Sequence, residues 1–324
     1  MSRTRQDLLE WAQAGRIAPE NLHRALQLGG VLPGRAQWHA FLDRLLLWLG
    51  VVMLAAGAIF FLAYNWDNLG RYAKFALAEA LILAALGAVW WQGLERITGK
   101  AALLAAALFT GALLALIGQT YQTGADTFEL FAAWAVAILP FALLGRFPAL
   151  WVLWLALVNL AAVLYFQTLH GVLGVLFGPE RQLWVLFGLN TLALVVWEGA
   201  ALAGLAWLRE RWAPRLIATA GGALATALAV MDVFRSNEFG MGGPVWLAWL
   251  AAAYAVYRHR LKDLYVLAGG VLSAVVVVAA LLGRLLADSR AEAGVFLLIG
   301  LVVIGMSAMG GYWLKQVANE EGES

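Results

Sequence analysis

From residue 44 to the C-terminal end, long apolar runs follow one another, each bounded by a short polar joint. A helix rising 1.5 Å per residue needs about 20 apolar residues to cross ~30 Å of hydrocarbon. In lipid every backbone N–H and C=O must be satisfied within the chain, so runs of this kind fold as spanning helices. On that measure the spans are 45–64, 73–92, 101–119, 129–145, 148–168, 183–206, 215–234, 244–257, 263–283 and 293–314. The shortest, 244–257, begins at Gly242-Gly243-Pro244 and ends at Arg258-His259-Arg260, so it reads as tilted, broken or re-entrant. The predicted fold class is all-α, a polytopic membrane helix bundle of about ten transmembrane helices. Composition agrees: 63% of residues are hydrophobic and 13% charged, about half the charge of a soluble domain.

Two domains follow from the same pattern: a polar N-terminal module, residues 1–43, and a transmembrane domain, residues 44–324. In the module Leu8, Leu9 and Trp11 share a helical stripe, and Gly15 stands where a terminating glycine belongs. Pro19 suits the first position of a second helix, which Gly29-Gly30 ends. The prediction is a short helical hairpin, too small for a core of its own. Charges run throughout residues 1–43, so this stretch does not read as a secretory signal, and the first span is predicted to be a retained anchor.

Lys and Arg are kept on the cytoplasmic side of a membrane. With the N-terminus inside, 16 of the 22 basic residues fall in cytoplasmic segments. Those outside are Arg71, Lys74, Arg181, Arg235, Arg284 and Arg290. The expected location is the bacterial inner membrane, multi-pass, with both termini cytoplasmic. A net charge of +2 without a basic stripe argues against nucleic acid. With no Cys and four dispersed His, no metal centre or thiolate chemistry is expected, nor is any cofactor. The expected partners are membrane lipids, other membrane proteins or a second copy of the chain.

Ionisable side chains within spans are costly and mark function or pairing. Glu79, Glu198 and Asp232 qualify, and Glu79 and Glu198 are the candidate proton carriers. A faint echo relates spans two to five to spans six to nine, with Glu79 matched to Glu198 and Trp134 to Trp249. Asn159 and Asn190 read as interhelical hydrogen-bond partners, and the runs Ala101–Ala107 and Ala218–Ala227 as places of close helix approach.

The densest polar stretch joins spans three and four: Gly118-Gln-Thr-Tyr-Gln-Thr-Gly-Ala-Asp-Thr-Phe-Glu129. A plain turn needs fewer polar groups than this. Asp126 is placed to cap the following helix, and Glu129 to complement its dipole. Tyr64-Asn-Trp-Asp67, with Arg71 and Lys74 after it, is predicted on the same side. The candidate ligand-binding set is Asp67, Glu79, Gln119, Tyr121, Gln122, Thr123, Asp126 and Asp232.

Leu62 to Asp67 (LAYNWD) followed by Arg-x-x-Lys, then Ile117 to Trp134 (IGQTYQTGADTFELFAAW) and Leu139-Pro140, resembles domain-of-unknown-function family 2157, predicted bacterial inner-membrane proteins. The resemblance covers the N-terminal module and the first four or five spans. It implies localisation and fold class and supplies no activity, substrate or cofactor. Its recognisable positions are Tyr64, Asn65, Trp66, Asp67, Gln119, Tyr121, Gln122, Thr123, Gly124 and Asp126.

Two functions fit these residues. One is a carrier or ligand-binding protein, not driven by ATP, with an outward-facing polar site. The other is a membrane scaffold or assembly subunit that binds partners through its N-terminal module and external loops. No Walker lysine, nucleophile elbow or HExxH string occurs, and no enzyme is predicted.

Overall fold

The computed structural model describes residues 3–64, 70–122, 124–173, 178–235, 240–286 and 292–323. Among them the regular elements are all helical: α1 (Arg3–Gln13), α2 (Pro19–Leu28), α3 (Arg35–Tyr64), α4 (Arg71–Gln92), α5 (Ile97–Tyr121), α6 (Thr127–Gly145), α7 (Pro148–Leu173), α8 (Pro179–Leu202), α9 (Trp212–Phe234), α10 (Gly242–His259), α11 (Leu264–Leu285) and α12 (Glu292–Glu323), with a 3-10 turn at Ala206–Leu208. The predicted N-terminal hairpin is present as α1 and α2. Gly15 follows α1 with φ +70°, and Pro19 opens α2.

Nine described helices are long and apolar enough to cross a membrane: α3 to α9, α11 and α12. The bundle of about ten expected from the sequence is in keeping with these nine. The exception is α10, whose 18 residues begin with two glycines and a proline and carry Arg258 and His259 in the last turn. Helix α3 also starts earlier than the first apolar run, because polar residues from Arg35 onward continue the same helix for 30 residues.

The chain divides into two compact units, residues 44–224 and residues 1–43 with 225–324. In the first, α5 is the hub. Half of its spanning window is buried within the protein, against a third or less for each of the other spanning helices. Small residues make this possible: Ala101, Ala105, Ala106 and Ala107 are buried, and Ala105 and Ala106 pack with Ala55, Ala85 and Phe109 across α3, α4 and α5. On the other side, Leu103 and Ala107 join Ala135, Ile138 and Ala142 of α6 and Leu150 and Leu157 of α7. Trp134 of α6 lies over Gly111 of α5 and donates from Nε1 to the Ala107 carbonyl at 2.8 Å.

Helices α7 and α8 are joined by polar groups. Asn190 donates to Asn159 Oδ1 at 2.6 Å, and Asn159 donates back at 3.4 Å. Each amide also donates to the carbonyl four residues earlier, Leu186 and Leu155. The predicted asparagine partners are therefore partners of each other.

In the second unit Ser273 of α11 is the polar node. Its hydroxyl accepts from Trp246 Nε1 of α10 at 2.8 Å and shares a 2.6 Å hydrogen bond with Thr226 of α9. Asp263 caps α11 by accepting from Tyr265 N, Gly310 of α12 lies beneath Val271, and Arg258 pairs with Glu320.

Candidate functional site

The turn between α4 and α5 makes them an antiparallel pair, so the first turn of α4 meets the last turn of α5. The Phe75 and Tyr121 rings lie 6.0 Å apart there. The Arg71 guanidinium stands 5.1 Å from the Tyr72 ring centre and 6.0 Å from that of Tyr121, and it donates to Tyr72 Oη at 3.1 Å. Cation–π geometry of this kind holds a guanidinium against an exposed aromatic. Lys74, one turn further, is buried and engaged. Arg71 and Phe75 of α4 thus meet Tyr121 of the polar stretch at this end of the pair.

The stretch itself is a tight exit from α5. Gln122 terminates the helix in the left-handed conformation at φ 45°, ψ 51°, and Gly124 follows at φ +66°. Asp126 occupies the N-cap position of α6, but its side chain makes no capping hydrogen bond. The first turn closes instead through the backbone, Glu129 N to Asp126 O at 3.0 Å. Glu129 lies in that first turn, as predicted. Gln119, Tyr121, Gln122, Asp126 and Glu129 are all exposed. Phe128 meets Tyr165 of α7 edge-on at 5.1 Å, which continues the aromatic layer to a fourth helix.

The other predicted residues go elsewhere. Glu79 is exposed, while its neighbour Ala78 on α4 is buried. Among the described residues Glu79 has no ion-pair partner. Glu198 is buried near the end of α8, where both its oxygens accept from Arg211 Nη1, at 3.0 and 2.9 Å. The two carboxylates of the faint echo therefore occupy unlike surroundings. Asp232 accepts from Gly243 N at 3.0 Å and lies 3.9 Å from Arg235, so it ties the end of α9 to the start of α10. A Cβ on Gly240 would fall 1.9 Å from Asp232 Oδ1, which shows how closely the Gly240 backbone approaches the carboxylate. Asp67 and Thr123, with Asn65 and Trp66, lie outside the described residues.

Several engaged groups escaped the sequence reading. Arg211 is one of the 16 basic residues of the cytoplasmic segments, and its place 13 residues after the in-span Glu198, across a short joint, is the signal that could have found the pair. Ser273 and Thr226 carry no such signal, because a lone hydroxyl in an apolar run has no telling neighbour. No group of three or more metal-ligating side chains occurs among the described residues.

The helices and this charged, aromatic cluster at their ends define a multi-pass helical membrane protein. Residues 9–151 match the family model described as "Predicted membrane protein (DUF2157)", the family that the LAYNWD and GQTYQTGAD strings resemble. The matched stretch takes in most of the N-terminal module and the first four spans. No curated protein and no solved structure matches the chain.

Proposed function

We propose that this inner-membrane protein is a scaffold or assembly subunit, with both termini in the cytoplasm and a docking surface for a partner protein at the α4–α6 end. The observation that carries this reading is the exposure of that end. Arg71, Tyr72, Tyr121, Gln122, Asp126 and Glu129 are all exposed. Exposed Tyr and Arg side chains are the types that most often dominate protein interfaces. The carrier reading asks for a water-filled path to Glu79 or Glu198. It is the weaker one, because Glu79 is exposed and Glu198 is tied to Arg211.

The orientation requires α10 to cross, making the tenth span. The basic joint Arg258-His259-Arg260-Leu261-Lys262 at its end supports a cytoplasmic position, and 18 residues reach about 27 Å, close to the hydrocarbon thickness. The chain has no Cys, so single cysteines report topology directly. Replacements at Arg71 and Gln122 are expected to react with an impermeant maleimide from outside, and those at Arg96, Arg209 and Lys262 only after permeabilisation. External labelling at Lys262 would overturn the crossing of α10.

A photo-crosslinking residue at Tyr121 or Gln122 tests the docking surface in cells. The expected result is one discrete adduct with a second polypeptide, weakened by Arg71→Ala. A small polar solute that shifts the melting temperature, with the shift lost in Gln122→Ala, would replace this reading by the carrier.

A further inference from the structure

Within residues 44–224, α7, α8, the 3-10 turn and the start of α9 surround a cavity of about 430 Å³, in the size range of small-molecule sites. Trp151, Trp154, Trp197 and Trp207 line it with Ala193 and Ile217, and its walls are apolar. We propose that this cavity binds the acyl chain of an anionic phospholipid, whose headgroup is held by the basic joint between α8 and α9.

Shape is the first argument. The lining residues on α8 run from Leu189 to Ala200, about 17 Å along the axis. The cavity is therefore elongated along the membrane normal, as an extended hydrocarbon chain requires. Access is the second. Leu192 and Val196 line the cavity and are 63% and 60% exposed, so it opens sideways from the bundle into the hydrocarbon region. A chain from the bilayer enters such an opening without passing through water.

The mouth supplies the third argument. Trp197 donates from Nε1 to the Leu208 carbonyl at 3.2 Å, which pins the 3-10 turn over the end of α8 and fixes the rim. Beside it Arg211 is held by Glu198 at 2.9 Å. Arg209 is exposed and Arg215 half-buried on the same joint. The acidic residues there are already engaged: Glu198 with Arg211, and Glu210 as acceptor for Trp212 Nε1 at 3.0 Å. Three arginines against two carboxylates leave the rim cationic, which suits an anionic headgroup and not a zwitterionic one.

Trp151 adds an independent sign. Its Nε1 is buried and has no hydrogen-bond acceptor among the described residues. Buried indole N–H groups are normally satisfied. The glycerol ester carbonyls of a bound phospholipid are acceptors of the right kind at this depth, three residues into α7.

The test uses the full chain in nanodiscs of phosphatidylcholine doped with phosphatidylglycerol, with release into native mass spectrometry. One phosphatidylglycerol is expected to stay bound per chain, at least about fivefold enriched over its mole fraction. Ala193→Phe, which fills the cavity, is expected to abolish the retained lipid. Arg209→Gln with Arg215→Gln is expected to keep a lipid but lose the enrichment. Equal retention of both lipids by the unaltered chain would overturn the proposal, as would undiminished retention by a folded Ala193→Phe. Should Ala193→Phe not fold, tryptophan quenching by brominated acyl chains decides. Brominated phosphatidylglycerol should quench the unaltered chain more than brominated phosphatidylcholine at equal mole fraction, and equal quenching would refute the site.

Discussion

Replacing Gly111 by alanine tests the joint between α5 and α6. A Cβ at this position would fall 2.3 Å from Cε2, 2.4 Å from Cζ2 and 2.5 Å from Cδ2 of the Trp134 indole. Ordinary carbon contacts lie at about 3.5–4.0 Å, so the ring must retreat by more than ~1 Å. The indole is not free to do so, because its Nε1 donates to the Ala107 carbonyl at 2.8 Å. A retreat of that size lengthens the hydrogen bond past its working range. Overpacking costs roughly 1–3 kcal/mol and the orphaned N–H about 1–3 more. Alanine returns ~1 kcal/mol through its better helix propensity. The expected net effect of Gly111→Ala is a loss of about 1–5 kcal/mol. It is measurable by reversible unfolding in mixed detergent micelles, followed by near-UV circular dichroism. In a Trp134→Ala background the obstacle is gone, and the same substitution should be neutral or slightly stabilising. If Gly111→Ala is harmless alone, or equally costly without Trp134, the reasoning about this joint is wrong.

Arg211→Ala takes the guanidinium away from the buried Glu198 carboxylate and should cost about 2–4 kcal/mol, whereas replacing both residues by leucine should recover most of that. The same unfolding assay decides, and a double variant as weak as Arg211→Ala would contradict the pairing argument. Gln122 adopts a left-handed conformation that costs an L-residue about 1 kcal/mol, so Gln122→Gly should gain roughly that much stability. A loss instead would mean that the side chain holds the turn together.

The polar residues of the transmembrane region show how far a sequence carries. Asn159 and Asn190 were legible as partners because an amide in hydrocarbon has few other ways to satisfy its donors. The boundaries of α1, α2 and α6 were legible from Gly15, Pro19 and Asp126, because backbone conformation near a glycine, a proline or a cap is a local matter. Asp126 also shows the limit of local rules. It stands at the N-cap position, yet its side chain does not cap. Glu79 and Glu198 looked alike in sequence and part company in the fold, one exposed and the other in an ion pair with Arg211.

Taken alone, the sequence determined that the chain crosses a membrane many times as helices, because burying backbone in hydrocarbon leaves so few alternatives. It also located the polar end of α4–α6, since polar residues there stand out against an apolar background. Only the tertiary structure decided which of those residues meet, because contacts between helices depend on their rotation and on small residues such as Gly111 that let a ring approach. The tryptophan-lined cavity belongs to the same category. Its walls come from three helices and a 3-10 turn, and in any one of them the tryptophans read only as ordinary interfacial anchors.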